Sequence, residues 1–443
     1  MNVMDVMEQR ATRSQRILAG AFLCIMGAMV WLIGYGISAR AAEKLRDEIR
    51  IDWQKLYPFP PSQEEDVPTH TKPSFVTSLA SKIDAKLRLS YIKEKIEKWT
   101  TEKLIGYMTF TETAKRYENI IGWNLASMSD YNGVVTLHDG YLISFVEKRD
   151  VSEAVNSTIE LADFCKQKGI DFLYVNAPRK ICKFEDADIS GTLDFSNQNA
   201  DEFLRQLSVA GVKYCDLREA LHAEGVPHHE SFYRTDNHWR LETALWASRH
   251  ILQFLHDEFY HSIDSSALDM NRFTSVEYPV CFLGDYGKKM TLARTVPDDF
   301  TLLYPNDTMS FHLKIPTLGI DRYGDFSTLY DMSRMERIDY YTQSQYNDLT
   351  YNNIGAALIS IDNQLNTQNV KLLIIRDSFG GGVIQYLSMG VKNVDAIDPR
   401  QFTGSVHNYI ETTKPDIVIV LMHAGVIGVP IDWNTHTSFF DFR

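Results

Sequence analysis

The amino-acid sequence predicts an α/β fold, a three-layer sandwich in which helices cover both faces of a mostly parallel sheet. The first observation is that short apolar runs alternate with helical patterns from about residue 119 onwards. Such alternation is typical of strands that are buried on both faces and joined by helical crossovers. The second observation is the composition. At 44% hydrophobic and 12% aromatic, a chain of 443 residues can bury a sizeable core.

A membrane anchor is predicted ahead of this domain. Residues 17–39 form an uncharged, mostly apolar run that is long enough to cross a hydrocarbon core of roughly 30 Å. Arg10, Arg13 and Arg16 precede the run, and positive flanks stay in the cytoplasm. We therefore expect residues 1–16 inside and the rest of the chain outside. A cleaved signal peptide is the competing interpretation, although signal peptides usually have an apolar region of only about 7–15 residues.

Residues 40–118 are predicted to form a stalk or linker. A charged helical segment and a proline-rich acidic spacer lead into an amphipathic helical pattern over about residues 75–108. That helix is expected to dock on the main domain, and a dimerising stalk is the alternative.

Residues 119–443 are predicted to form the main domain. Its predicted strands are Val134–Leu137, Tyr141–Phe145, Ile170–Asn176, Val212–Leu217, Lys371–Arg376, Val394–Ile397 and Ile417–Met422. Its predicted helices are Asp150–Lys168, Ala200–Ala210, Trp239–Tyr260, Ile354–Leu365 and Val383–Ser388. Residues 262–353 interrupt the alternation with a loop-rich, aromatic stretch that is predicted to be an insertion forming one wall of the site. Aromatic faces suit sugar rings, but aromatic residues are also ordinary core filler.

Bulk composition limits the function classes. The net charge of −13 argues against nucleic acid as a partner, because phosphate backbones require clustered cations. The cysteines expected outside the membrane allow three disulfide pairings, and four buried free thiols are an equally good account. These cysteines are Cys165, Cys182, Cys215 and Cys281.

The candidate nucleophile is Ser378. It follows the apolar strand that ends at Arg376 and precedes three glycines and an apolar helix. A strand, sharp turn and helix in this order expose a serine above the sheet. The glycines, including Gly380, allow close approach of a substrate, and the start of the helix presents N–H groups to a developing oxyanion. A helix cap at Asp377 or Ser378 is the alternative interpretation.

The candidate base is His238, which follows Asp236 by two residues. Side chains at i and i+2 of an extended segment point to the same side. Asp236 can therefore hold one ring nitrogen of His238 and leave the other to take a proton from Ser378. Alone, Asp236 would more often be a turn residue or the cap of the helix that follows it.

Candidate substrate-binding or oxyanion residues are Arg179, Lys180 and Arg234. Arg179 and Lys180 come just after a predicted strand, at the edge where α/β sheets bind their ligands. The alternative interpretation is that both are solvated charges on a loop. A metal site at His228 and His229 is the rival chemistry. Adjacent histidines on an irregular segment do not share a face, and HExxH spacing does not occur, so neither a metal nor another cofactor is predicted.

Two motifs resemble those of the DHHW-type and alginate O-acetylation proteins of the SGNH hydrolase-like superfamily. They are Arg234-Thr-Asp-Asn-His-Trp239 and, later in the chain, Arg376-Asp-Ser-Phe-Gly380. The segment Phe282–Lys289 also resembles a recurrent DHHW-type element, whereas Asn237 stands where those proteins often have histidine. The serine follows the Asp–His motif here, the reverse of ordinary SGNH enzymes, which implies a circularly permuted fold.

The resemblance implies a function for the residues already singled out. Ser378 would be the nucleophile, His238 the base and Asp236 its orienter, in a membrane-anchored O-acetyltransferase or acetylesterase. The implied acceptor is a cell-envelope or secreted polysaccharide, and a membrane-bound acyltransferase would deliver the acetyl donor. The alternative is a non-catalytic glycan-binding or assembly module on the same fold.

Overall fold

The computed structural model describes residues 133–137, 140–184, 194–335, 338–351, 356–431 and 438–442. Within these ranges, no helix is both long and apolar enough to cross a membrane. The predicted anchor over residues 17–39 and the predicted stalk over residues 40–118 lie outside the described residues.

The described residues form alternating strands and helices. The strands are β1 Val135–Thr136, β2 Leu142–Ile143, β3 Asp171–Ala177, β4 Tyr214–Asp216, β5 Phe273–Phe282, β6 Asp298–Pro305, β7 Phe311–Ile315, β8 Ile320–Gly324, β9 Leu358–Asn363, β10 Lys371–Arg376, β11 Asn393–Ile397 and β12 Ile417–His423. The α-helices are α1 Ser152–Gln167, α2 Ser196–Val209, α3 Leu217–Ala223, α4 Leu241–Phe259, α5 Asp285–Met290, α6 Gln345–Leu349, α7 Gly381–Gly390 and α8 Val406–Thr413. The α/β class is confirmed.

The central sheet is mixed, with parallel pairing in its larger part, so the prediction of a mostly parallel sheet is confirmed only in part. Its order is β4-β3-β12-β10-β11-β9-β7-β8. Neighbours from β4 to β11 pair in parallel, whereas β9, β7 and β8 continue the sheet with antiparallel pairing. Strands β7 and β8 follow each other in the chain as a hairpin, whereas β9 takes its place between β11 and β7 after the segment that contains α6.

Helices cover both faces of the sheet, as the three-layer prediction requires. Alternate residues of each central strand belong to different apolar clusters: Leu372 and Ile374 of β10 face one, and Leu373 and Ile375 face the other. Helices α4 and α7 pack in the first cluster, and α1, α2 and α8 pack in the second. The parallel strands are therefore buried on both faces, with their carboxyl ends at one edge of the sheet.

The predicted helix over Ile354–Leu365 is wrong, because β9 occupies this stretch. Ile359 and Ile361 are buried, and Ser360 and Asp362 between them are partly exposed. This two-residue period belongs to a strand. The segment pairs antiparallel with β11 on one side and β7 on the other.

The aromatic stretch over residues 262–353 contains more regular structure than its loop-rich composition indicates. Strands β5 and β6 form a separate hairpin, and β7 and β8 extend the central sheet. Helices α5 and α6 also lie in this stretch. The four described cysteines, which the sequence left open to pairing, are all free thiols.

Candidate active site

The serine lies in a tight turn between β10 and α7. Asp377 caps the short 3-10 helix Ser378–Gly380, and its side chain accepts a hydrogen bond from the N–H of Phe379 at 2.9 Å. A Cβ on Gly380 would stand 2.6 Å from the Cβ of Arg376, so the turn requires glycine there. The strand, turn and helix predicted around Ser378 are confirmed, and the capping role proposed for Asp377 is also real.

The Asp–His motif lies in a narrow loop closed by an antiparallel bridge between Phe232 and Trp239. The N–H of Tyr233 donates to the carbonyl of His238 at 3.2 Å inside that bridge. Helix α4 begins only at Leu241, so the carboxylate of Asp236 does not cap it. The short loop instead leaves this carboxylate to bond within the site.

The structure brings Asp236, His238 and Ser378 together. Nδ1 of His238 is 2.5 Å from Oδ1 of Asp236, and Nε2 is 2.7 Å from Oγ of Ser378. Asp236 and His238 are almost entirely buried. Because the carboxylate fixes the proton on Nδ1, Nε2 is left to accept the proton of the serine. A nucleophile, its base and the group that orients the base are thus in hydrogen-bonding contact.

A second segment holds the other oxygen of Asp236. The N–H of Asp285, at the start of α5, donates to Oδ2 at 2.8 Å. A Cβ on Gly284 would lie 2.2 Å from the Cβ of Asp236, so this approach requires glycine. Burial opposes ionisation of Asp236, but His238 and the N–H donors outweigh it, and the pKa lies below its ordinary value.

Thr235 fastens the loop to the same segment. Its hydroxyl donates to Oδ2 of Asp298 at 2.6 Å and accepts from the N–H of Gly284 at 2.9 Å. The N–H of Gly287 donates to the Thr235 carbonyl at 2.8 Å. The Phe282–Lys289 element therefore supports the Asp–His loop directly.

Tyr346 joins the two halves of the site. Its hydroxyl accepts from Nε1 of Trp239 at 3.1 Å and from the N–H of Gly382 at 3.2 Å, and it lies 3.1 Å from the carbonyl of Phe379, to which it donates. Its ring stacks on His238 with centroids 4.3 Å apart. This residue comes from the aromatic stretch, and the sequence offered no signal that distinguished it from the other tyrosines there.

Lys180 is buried against the Asp–His loop. Its ammonium donates to the carbonyls of Leu142 at 2.7 Å and Arg234 at 3.0 Å. Burial lowers the pKa of Lys180 to about 7. Because it donates to backbone oxygens of both segments, Lys180 ties β2 to the loop.

Arg179 and Arg234 differ in their surroundings. Arg179 is buried and pairs with Asp194 at 3.2 Å, and its guanidinium also donates to the carbonyl of Ser144 at 2.8 Å. Arg234 is more exposed, and its Nε lies 3.7 Å from Asp298. A small cleft beside the Asp–His loop is lined by Ile143, Arg179, Lys180, Ile181, Asn237 and Tyr286.

The predicted oxyanion donors at the helix start already have partners. The N–H of Gly380 donates to the Asp377 carbonyl at 3.2 Å, and the N–H of Gly382 donates to the hydroxyl of Tyr346.

In the part of the chain that the structure describes, the histidines considered as metal ligands are not grouped with other ligands. Nε2 of His228 lies 2.6 Å from the carbonyl oxygen of Arg179. Within the described ranges, no three His, Cys, Asp or Glu side chains are grouped as a metal site.

Comparisons with known proteins bear on this domain. A family model described as "SGNH hydrolase-like domain, acetyltransferase AlgX" matches residues 139–296. The solved structure of Bacillus cereus PatB1 with a sulfonyl adduct is similar, with a TM-score of 0.55 and 17% identity over 70% of this chain and 98% of that chain. A DHHW family protein from Eubacterium siraeum gives a TM-score of 0.50 and 15% identity over 70% of this chain and 96% of that chain. No match is found among curated proteins. The predicted resemblance is therefore confirmed: residues 139–296 match the SGNH hydrolase-like, acetyltransferase AlgX family model, and the α/β fold is similar to that of the two solved structures.

Proposed function

We propose that this chain is a serine-dependent O-acetyltransferase, or an acetylesterase, that acts on a cell-envelope or secreted polysaccharide. The observation that carries the proposal is the unbroken contact from Asp236 through His238 to Ser378, at 2.5 and 2.7 Å. The match of residues 139–296 to an acetyltransferase family model supports acetyl as the transferred group.

The proposed first half-reaction transfers acetyl to the serine. Oγ of Ser378 attacks the carbonyl carbon of the donor ester while its proton passes to Nε2 of His238. The ionised Asp236 stabilises the imidazolium that forms, and this imidazolium then returns the proton to the leaving oxygen. An acetyl ester on Ser378 results.

The proposed second half-reaction reverses these roles. A hydroxyl of the acceptor, or water, attacks the acetyl carbonyl and gives its proton to His238, which returns a proton to Oγ of Ser378. Transfer and hydrolysis therefore differ only in the attacking oxygen. Asn237, which is partly exposed and lines the cleft beside the loop, is our candidate for the side chain that donates to the oxyanion.

The setting of the reaction belongs to the same proposal. The predicted anchor over residues 17–39 would hold the domain on the outer side of the cytoplasmic membrane, where the polymer is found. A membrane-bound acyltransferase would then supply the acetyl donor, because cytoplasmic donors must cross the membrane. The net charge of −13 gives no support to a nucleic-acid partner.

The test is acetyl release from p-nitrophenyl acetate by the full-length chain and its Ser378→Ala variant. We expect kcat/KM to fall at least about 10³-fold, since the members of a triad act as a unit. Matching thermal unfolding of the two proteins would exclude misfolding as the cause. Equal rates in the two proteins would end the proposal.

A further inference from the structure

A second buried carboxylate, that of Asp298, holds the loop that carries the Asp–His motif. Asp298 is 2% exposed and is the first residue of β6. Its Oδ1 accepts the N–H of Arg234 at 2.9 Å, and its Oδ2 accepts the N–H and the hydroxyl of Thr235 at 2.8 and 2.6 Å. Three donors from two consecutive residues therefore converge on one side chain that the proposed reaction does not use.

A buried cation lies at the other end of the same peptide unit. The carbonyl of Arg234 accepts from the ammonium of Lys180 at 3.0 Å and from the N–H of Leu142 at 2.8 Å. Lys180 is 3% exposed, so both charges are buried. The dipole of this peptide thus lies between a carboxylate at its N–H end and an ammonium at its C=O end. Hydrogen bonds to charged groups are stronger than neutral ones, so the chain is firmly fixed one residue before Asp236.

The hydroxyl of Thr235 connects Asp298 to Asp236. Because a carboxylate only accepts, this hydroxyl donates its proton to Asp298 and keeps a lone pair for the N–H of Gly284, 2.9 Å away. The next N–H along the chain, that of Asp285, donates to Oδ2 of Asp236 at 2.8 Å. The direction of each bond is therefore determined, from Asp298 to the carboxylate that orients the base.

One hairpin supplies both ends of this connection. In the antiparallel pairing of β5 and β6, Phe282 stands opposite Asp298, and Gly284 follows two residues after Phe282. The hydroxyl of Thr235 also lies 3.4 Å from the carbonyl of Phe282, but the contact with Asp298 is much shorter and takes the proton. A Cβ on Gly287 would stand 2.7 Å from the Cβ of Thr235, so the threonine is closely packed against the same segment.

We propose that Asp298 is a positioning residue that sets the place of the Asp236 carboxylate through the hydroxyl of Thr235. The inference rests on the proposed function and adds to it a residue that acts only through others. Because His238 serves both half-reactions, a displaced Asp236 slows acylation and deacylation together. The expected signature is therefore a fall in kcat with KM unchanged.

The test compares Thr235→Val, Asp298→Asn and the double variant in the full-length chain with p-nitrophenyl acetate. Thr235→Val keeps the branched shape of the side chain and removes the hydroxyl. Each single variant should lower kcat about 10²-fold, as a displacement of about 1 Å does, with KM within about two-fold of wild type. Since both residues act along one path, the double variant should lose no more than Asp298→Asn alone. Losses that multiply to about 10⁴-fold, or that lie in KM alone, would overturn the inference.

Thr235→Ser is the conservative variant, because it keeps the hydroxyl. It should retain kcat within about two-fold of wild type, and a loss equal to that of Thr235→Val would overturn the inference. This pair decides the question even where thermal unfolding shows that Asp298→Asn is not folded at the assay temperature. Wild-type kcat in Thr235→Val would also overturn it.

Asp299→Asn is the matched control in the same strand. Asp299 accepts a single backbone N–H, that of Val280 at 2.7 Å, and the asparagine oxygen can still accept it. The control should keep wild-type kcat, and a loss as large as that of Asp298→Asn would assign the effect to the hairpin as a whole and overturn the role of Asp298. Absence of p-nitrophenyl acetate turnover in the wild type would instead be a failure of the proposed function.

Discussion

Replacing Gly284 with alanine should lower the activity by displacing Asp236, although Gly284 itself takes no part in the proposed reaction. The new Cβ would stand 2.2 Å from the Cβ of Asp236 and 2.5 Å from its Oδ2. An ordinary contact needs 3.4 Å or more, so the two segments must separate by about 1.2 Å. This shift would break the hydrogen bond from Asp285 and turn the carboxylate away from His238. A misplacement of about 1 Å costs roughly 10²-fold in rate, which is the loss of kcat/KM that we expect.

The assay is kcat/KM for p-nitrophenyl acetate together with thermal unfolding. Gly390→Ala is the matched control, because its Cβ would also approach another atom at 2.2 Å, but that atom is the Cδ1 of Leu252 at the end of a flexible side chain. The control should keep wild-type kcat/KM even if its Tm falls. Wild-type kcat/KM in Gly284→Ala would refute the idea that this glycine sets the position of Asp236.

Three further predictions concern the same site. Asp236→Asn should lower kcat by about 10³- to 10⁴-fold in the p-nitrophenyl acetate assay, because an amide favours the wrong tautomer of the base, and a loss below ten-fold would contradict this. Tyr346→Phe leaves the buried N–H groups of Trp239 and Gly382 without their shared acceptor and should lower the free energy of unfolding by about 1–3 kcal/mol, measured in urea. The free energy of unfolding of the wild type, relative to Lys180→Met, should rise from pH about 7 to 10, because the folded lysine has lost a proton that the unfolded chain still binds. Urea titrations across that range measure this difference in the free energy of unfolding between wild type and variant. A flat or falling difference would show that folding does not lower the pKa of Lys180.

The parts of the site that depend on local sequence could be predicted. The two-residue spacing of Asp236 and His238 in an extended loop is a local property, and so is the strand, turn and glycine sequence around Ser378. The spacing of hydrophobic residues also predicted most of the parallel strands and most of the helices that cover them. These features need no knowledge of distant contacts.

The parts that depend on long-range pairing could not be predicted. The stretch around β9 has apolar residues at spacings that fit a helix, and only its pairing between β11 and β7 makes it a strand. Tyr346 is one aromatic residue among many until the fold places its hydroxyl between Trp239 and Gly382. Nδ1 of His423, the last residue of β12, lies 2.6 Å from Oδ2 of Asp377, the residue that follows β10, and nothing in the local sequence of either residue indicates the other.

Covalent labelling of Ser378 is the most direct test of the central claim, that Asp236 and His238 activate this serine. Wild-type chain treated with a fluorophosphonate should gain one adduct per molecule, located on Ser378 by peptide mass spectrometry. His238→Ala should be labelled at least about 10²-fold more slowly, the lower end of what a general base contributes. Absence of an adduct on Ser378, or equal labelling rates in the two proteins, would contradict the account.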